Sequence, residues 1–241
     1  MKTTPAASSI EMVFLYYDNP QMLEWQIDCW NAYVGVLKNP PGVILVDDGS
    51  PKTKAVDIVK KSNCRLPIKV FRIKEDIPWN FTGARNLGCV HAKNWIYMSD
   101  IDTILTENDA KKLFDQRLLQ KNCFYKPARV AFPDLPLSAP GNVNFLYHKD
   151  LYQEIGGYDE DYAGNYGRGD TDFMNQLIRV AKQIIRRDVL VRVISPAQVP
   201  DACTFGRPRD KTTNIELYLR KKAAGFIRPI NPLRFTWRQV Y

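Results

Sequence analysis

Histidine is scarce in this sequence: His91 and His148 are the only two in 241 residues. Neither stands at ligand spacing from a cysteine, which argues against a zinc site. The five cysteines (Cys29, Cys64, Cys89, Cys123 and Cys203) contain no Cys-x-x-Cys pair. An odd, dispersed set in a chain of this size reads as buried, reduced thiols of a cytosolic protein. No apolar run approaches the ~20 residues of a membrane-spanning helix. Met1 to Ile10 lacks the apolar core of a signal peptide. Thirteen Gly and sixteen Pro are scattered, which excludes collagen-like and low-complexity chains.

What is present is ordinary globular composition, 45% hydrophobic and 25% charged, enough for one substantial core. Lys and Arg exceed Asp and Glu by 34 to 26, a formal charge of +8. That excess suggests an anionic partner. Nucleic acid, an acidic membrane surface and a diphosphate substrate would each satisfy it, so charge alone does not choose.

Short apolar runs at Met12 to Tyr17, Val43 to Val46, Ile68 to Ile73 and Trp95 to Met98 read as strands. Between them, helical spacing is expected over Gln21 to Leu37, around Ala55 to Val59 and over Gly83 to Lys93. This alternation implies an α/β fold with a doubly wound, mostly parallel central sheet flanked by helices. The second half is less regular. It shows a helix over Glu107 to Leu119, extended chain over Cys123 to Phe132, a proline-rich loop and a strand around Asn144 to Tyr147. A turn-rich segment from Gly156 to Asp170, a helix from Thr171 to about Lys182 and a strand over Val189 to Ile194 complete it. No repeat or linker appears, so one domain over 11–195 is expected, followed by a basic, aromatic segment over 196–241 that packs on or near the active site.

In such sheets ligands bind beyond the carboxyl ends of the strands. The residues there are Tyr17-Asp18, Asp47-Asp48 and Asp100-Ile101-Asp102, so acids converge on one edge of a basic protein. Two carboxylates one residue apart at a strand end point to the same side. Hard oxygen ligands of this kind suit Mg²⁺ or Mn²⁺ bridged to substrate phosphates. The plain structural alternative is that Asp102 or Thr103 caps the helix that follows Thr106.

Five motifs occur in order: Val-Asp-Asp-Gly-Ser at 46–50, Gly-Ala-Arg-Asn-Leu-Gly at 83–88, Ser-Asp-Ile-Asp at 99–102, Gly-Gly-Tyr-Asp-Glu at 156–160 and Arg-Gly-Asp-Thr-Asp-Phe at 168–173. Together they resemble the inverting, family-2-like glycosyltransferases of the GT-A fold, over roughly residues 11 to 195. The resemblance implies a donor site in which Asp48, with Asp47 as its partner, contacts the nucleoside, and Tyr16 or Tyr17 stacks on a uracil. Arg85 would meet nucleotide phosphate or orient the neighbouring acids, Asp100 the ribose or the metal, and Asp102 the metal, with Ile101 between them. Gly157 would belong to the floor near the transferred sugar. Asp170 aligns with the catalytic base, and Asp172 is the alternative base or an acceptor-binding group. The implied partners are a nucleoside-diphosphate sugar, UDP-linked by expectation, and a glycan or lipid-linked acceptor, rather than nucleic acid. The implied cofactor is Mn²⁺ or Mg²⁺.

This chain departs from the family pattern in two places. Gly169 replaces a glutamate, and no histidine follows His148 to complete a metal site, leaving Asp201 as a candidate substitute. Those losses keep open a non-catalytic nucleotide-sugar or glycan-binding module of the same fold. A sugar-phosphate nucleotidyltransferase would need a glycine-rich phosphate loop where Tyr17-Asp18-Asn19-Pro20 stands. Trp79-Asn80 is read as lining the donor pocket or as packing, His91 as a buried or edge residue, and His148 as a group within reach of the acceptor. The Arg168-Gly169-Asp170 tripeptide opens an apolar helix, which does not suit an adhesion loop. The tail from Leu217 to Tyr241 mixes Arg220, Lys221, Lys222, Arg228, Arg234 and Arg238 with Phe226, Phe235 and Trp237. It is read as a solvated basic face, a cover over the site, or a peripheral contact with an anionic membrane. The expected location is cytoplasmic, at a membrane surface if the tail makes that contact.

Overall fold

The computed structural model describes residues 9–137, 143–203, 207–225, 229 and 233–241. Most of the Met1 to Ile10 segment, the middle of the 133–145 loop, and Phe226 and Arg228 of the tail lie outside the described residues. One sheet carries nine strands in the order β5-β8-β6-β7-β4-β1-β2-β3-β9. Its centre is the expected alternation. Strand β1 (Ile10–Tyr16), helix α1 (Pro20–Val36), β2 (Gly42–Asp47), α2 (Ala55–Lys61), β3 (Ile68–Ile73), α3 (Phe81–His91) and β4 (Trp95–Asp100) follow one another. All pairings among these four strands are parallel.

Period-two alternation splits the strands between two cores. Met12, Phe14 and Tyr16 pack with Leu23, Ile27 and Trp30 of α1 on one face. Val13, Ile44, Val46 and Ile96 pack with Leu87 of α3 on the other. Helix α3 lies close to the sheet because Gly88 has no side chain: a Cβ there would stand 2.3 Å from Val13 Cγ1.

The expectation of a mostly parallel sheet is corrected beyond β4. Parallel neighbours need a long crossover, most often a helix, and several of the later connections lack one. After a short turn comes β5 (Thr103–Leu105), then α4 (Glu107–Leu113), β6 (Cys123–Ala131), β7 (Phe145–His148) and α5 (Lys149–Ile155). Helix α6 (Gly169–Val180), β8 (Lys182–Val193), α7 (Thr212–Ala223) and β9 (Trp237–Gln239) complete the chain. Strand β7 lies antiparallel to both β6 and β4, and the described residues between β6 and β7 form no helix. Strand β5 lies antiparallel to β8, and β9 antiparallel to β3, while β6 and β8 are parallel. The sheet is therefore mixed. The 107–119 helix is shorter than expected, ending at Leu113 before a single 3₁₀ turn at Gln116–Leu118, and Thr106 rather than Asp102 or Thr103 caps it. Helix α6 opens two residues earlier than expected, at Gly169.

Among the described residues no helix is long and apolar enough to cross a membrane. Part of the tail joins the fold: α7 is tied to α6 by a hydrogen bond from Asn175 Nδ2 to Tyr218 Oη, 2.8 Å, and β9 closes one edge of the sheet.

Candidate active site

The carboxyl ends of β1, β2 and β4 open into a cavity of about 660 Å³. Tyr16, Tyr17, Asp48, Arg85, Asp100, Ile101, Asp102 and Asp170 all line it. Residues from both halves of the chain thus share one space.

Arg85 joins them. It comes from α3, is 2% exposed, and its guanidinium lies 5.3 Å from the Phe81 ring centre and 5.4 Å from that of Tyr158. Nη2 donates to Asp100 Oδ1 at 2.7 Å, and Nη1 donates to Asp170 Oδ1. A planar fork held between two rings and two carboxylates fixes the spacing of the acids on its flanks. Asp170 stands in the first turn of α6, one of whose oxygens is thereby engaged, and its side chain is 24% exposed toward the cavity.

Asp100 ends β4, and Asp102 lies in the turn between β4 and β5. Buried amides hold that turn from both sides. Gln26 Nε2 of α1 donates to the carbonyls of Ile101 (2.8 Å) and Thr103 (2.7 Å). Asn144 Nδ2 donates to Ser99 Oγ (2.9 Å) and Thr103 Oγ1 (3.1 Å). Asp102 Oδ1 is buried without a donor among the described residues, and burial, reinforced by the charge of Asp100, pushes this carboxyl up to about 7. An orphaned carboxylate oxygen beside a second acid is what a hard divalent cation would satisfy. Among the described residues no three His, Cys, Asp or Glu side chains group as ligands. The set fits a cation that takes one or two carboxylates and completes its shell with phosphate and water.

At the ends of β1 and β2, Asp48 accepts from Asn80 Nδ2 at 2.9 Å, and burial lifts its carboxyl to about 7. Tyr16 is fully buried and donates to the carbonyl of Thr53 at 2.9 Å. Tyr17 has the guanidinium of Arg207 4.3 Å from its ring centre, and Arg207 also pairs with Asp76. Of Tyr16 and Tyr17, it is Tyr17 whose ring meets a cation that lines the cavity.

Several candidates stand elsewhere. Asp47 is outside the cavity, accepting from the backbone of Ser50 (2.9 Å) and Ala55 (3.0 Å) and from Arg72 Nη1 (2.6 Å). It shapes the turn after β2 instead of facing a ligand. Asp172 is 2% exposed and accepts from Tyr162 Oη at 3.3 Å; burial raises its carboxyl to about 6. Gly157, at φ +80, packs its α-carbon against Asn86 and Tyr152, where a Cβ would meet Oδ1 and Oη at 2.8 Å. Asp201 is no spare ligand: its carboxylate accepts from the backbone of Gln21 (2.7 Å) and Met22 (2.9 Å) and caps α1. His148 is buried, packs edge-on against Trp95 and caps α5, and it is not among the residues that line the cavity. His91 stacks on Phe71 at 4.1 Å. At 169 a side chain would be crowded, since even a Cβ would lie 2.5 Å from Thr82 Cγ2 and 2.7 Å from the Phe81 ring.

Cations line the same cavity: Arg129, Arg168, Arg207, Arg209 and Lys211. Arg129 Nε is buried and has no acceptor among the described residues. The Arg-Pro-Arg-Asp-Lys run at 207–211 is visible in the sequence as a basic cluster, whereas nothing in the sequence marks Arg129, Gln26 or Asn144. Among the described residues, the non-glycine positions with positive φ are Asp18 (51°), Trp79 (49°) and Arg168 (69°). Trp79 and Arg168 line the cavity, and Asp18 lies between two lining residues. Strain of this kind persists where surrounding structure imposes it, and it gathers at functional sites.

No family model matches the chain, and no curated relative matches it. Solved structures do. S. aureus TarS 1-349 aligns at TM-score 0.62 and 14% identity over 80% of this chain and 63% of its own. GalNAc-T7, crystallised with UDP, GalNAc and Mn²⁺, aligns at 0.61 and 14% over 80% of this chain and 45% of its own. The mannosyltransferase PcManGT from Pyrobaculum calidifontis, in complex with GDP-Man and Mn²⁺, aligns at 0.56 and 14% over 82% and 62%. This chain spans less than two thirds of each. The likeness establishes the fold, a central mixed sheet flanked by helices of the GT-A type found in glycosyltransferases.

Proposed function

We propose that this protein is an inverting, family-2-like glycosyltransferase that takes a nucleoside-diphosphate sugar, UDP-linked, and a divalent cation. The observation that carries the reading is the Asp100–Arg85–Asp170 bridge inside the cavity, because it sets a cation-binding acid and a candidate base at either side of one buried guanidinium. Two of the solved neighbours hold nucleotide or nucleotide sugar together with Mn²⁺, in agreement with that use of the fold.

In this reading the base of the donor rests near Tyr17 and Asp48, and the ribose near Asp100. Asp100 and Asp102 would hold Mn²⁺ or Mg²⁺, which when bound neutralises the diphosphate and makes it a better leaving group. Arg129 offers its unpartnered N–H beside Asp102 to the same phosphates. Arg85 keeps Asp170 in place, leaving its second oxygen to take the proton of an acceptor hydroxyl as that oxygen attacks the anomeric carbon from the face opposite the diphosphate. The carbon–oxygen bond to the diphosphate breaks as the new one forms, so configuration inverts. Asp172, enclosed with Tyr162, supports the helix that presents Asp170.

The test is a melting-temperature panel of UDP-, GDP- and other nucleotide sugars with and without Mn²⁺, since a ligand of the native state raises apparent stability. A shift with one nucleotide family that grows with Mn²⁺ is expected. No shift with any member, with or without metal, would defeat the reading.

A further inference from the structure

We propose that the acceptor is an anionic saccharide, carrying a carboxylate or a phosphate ester, held by Tyr166, Arg168, Arg209 and Lys211 beside Asp170. The proposal rests on the glycosyltransferase reading above and names its acceptor class.

Tyr166, Gly167, Arg168, Asp170 and Thr171 all line the cavity, so the Tyr166 ring and the candidate base open into one space. The Arg209 guanidinium and the Lys211 ammonium stand 5.5 and 5.6 Å from the centre of that ring. Trp79 packs against Tyr166 at 4.6 Å and donates its indole N–H to the Pro208 carbonyl at 2.9 Å, which anchors the segment bearing both cations. Arg168 lies over Tyr218 at 5.4 Å. Both cations lie over the face of the ring, which holds them in place, and positioned cations of this kind suit the negative substituent of a saccharide.

Charge accounting separates this cluster from the donor. Arg85 is neutralised by Asp170 and Asp100, and Arg207 by Asp76. A divalent cation and the two negative charges of a diphosphate offset each other, and the remaining lining acids, Asp48 and Asp102, face Arg129 and the three cations Arg168, Arg209 and Lys211. Arg168, Arg209 and Lys211 form no ion pair among the described residues; Asp210 beside them is committed to the backbone and hydroxyl of Thr212 at 2.9 and 2.7 Å. A cavity that stays positive after donor and cation are counted selects a negative third component.

The test uses three short oligosaccharide probes of equal length: a galacturonate oligomer, a phosphodiester-linked polyol oligomer and a neutral glucose oligomer. Binding is measured by calorimetry on the parent protein, on Arg209→Gln/Lys211→Gln, and on a charge-matched control, Lys60→Gln/Lys61→Gln. Both altered pairs are exposed, so folding is not at risk. At least one anionic probe should bind about tenfold tighter than the neutral one. Which anionic arm responds tells carboxylate from phosphate. The site variant should lose that preference and the control keep it, while nucleotide-sugar stabilisation persists in both. Equal or tighter binding of the neutral probe, or binding of none, overturns the proposal. So does a site variant that keeps the anionic preference but loses nucleotide stabilisation, which would assign these cations to the diphosphate. Absence of nucleotide stabilisation in the parent protein would instead bring down the glycosyltransferase reading.

Discussion

The two halves of this molecule were assembled by different means. Up to Asp100 each strand after β1 enters the sheet after a helix, and β1 to β4 pair parallel with one another. Beyond it, strands pair mostly antiparallel, and functional groups stand on irregular chain: Asp102 on a turn, Arg168 at positive φ, Arg209 and Lys211 between β8 and α7. The regular half supplies the edge on which a ligand can sit, and the irregular half supplies the candidate base and most of the cations. Arg85 is the seam between them, since it belongs to α3 and binds an acid from each side.

That contrast can be broken at its strongest point first. Arg85→Ala leaves Asp100 and Asp170 facing each other without their shared cation, and denaturant unfolding should show a loss of about 3 kcal/mol. A loss near zero would mean the two halves hold together without the seam.

Next in size is a buried acid of the irregular half. Asp172 has a folded-state value near 6, above its ordinary 3.8. The folded protein therefore keeps this proton after the unfolded chain has released it. Stability from the protonated form is complete below about 4 and is lost as pH rises through 6. Asp172→Asn should accordingly stabilise the protein at pH 8, on the order of 2 kcal/mol, and leave it unchanged near pH 4. Melting curves at the two pH values check this, and equal effects at both would contradict it.

A smaller effect tests how the late chain is fastened to the early one. Asp201 caps α1 from the far end of the sequence, and Asp201→Ala should cost about 1 kcal/mol by the same unfolding assay. The smallest is the exposed pair of Arg117 with Asp115, two residues apart. Arg117→Ala should leave the unfolding curve of the parent unchanged, which makes it the control for a contact that joins nothing distant.

The same division explains what could be read before the structure was known. Apolar periodicity in Met12 to Tyr17 or Ile68 to Ile73 follows from side chains alternating between two cores, so the central strands and their acidic ends were visible. The same alternation, extended past β4, suggests a mostly parallel sheet, whereas β7 pairs antiparallel with both of its neighbours. In the site, Asp48, Arg85, Asp100, Asp102 and Asp170 stand in one cavity, as their motifs suggested. Asp47 looks identical to Asp48 in sequence, yet the two face opposite ways, and only the turn geometry after β2 decides which one meets the cavity. Asp201 was weighed as a metal ligand because capping across 180 residues leaves no local signal. Gln26 and Asn144 hold the Asp100–Asp102 turn through backbone and hydroxyl contacts that no spacing rule announces.

The measurement that bears most directly on the account is made on Asp170→Asn, in two parallel readings: nucleotide-sugar stabilisation, and release of nucleoside diphosphate in the presence of acceptor. The amide can still receive the Arg85 fork on its oxygen but cannot take a proton, so stabilisation should be kept while release falls by about 10²-fold or more. Release at the parent rate would contradict the assignment of Asp170, and with it the claim that the two halves meet to transfer a sugar.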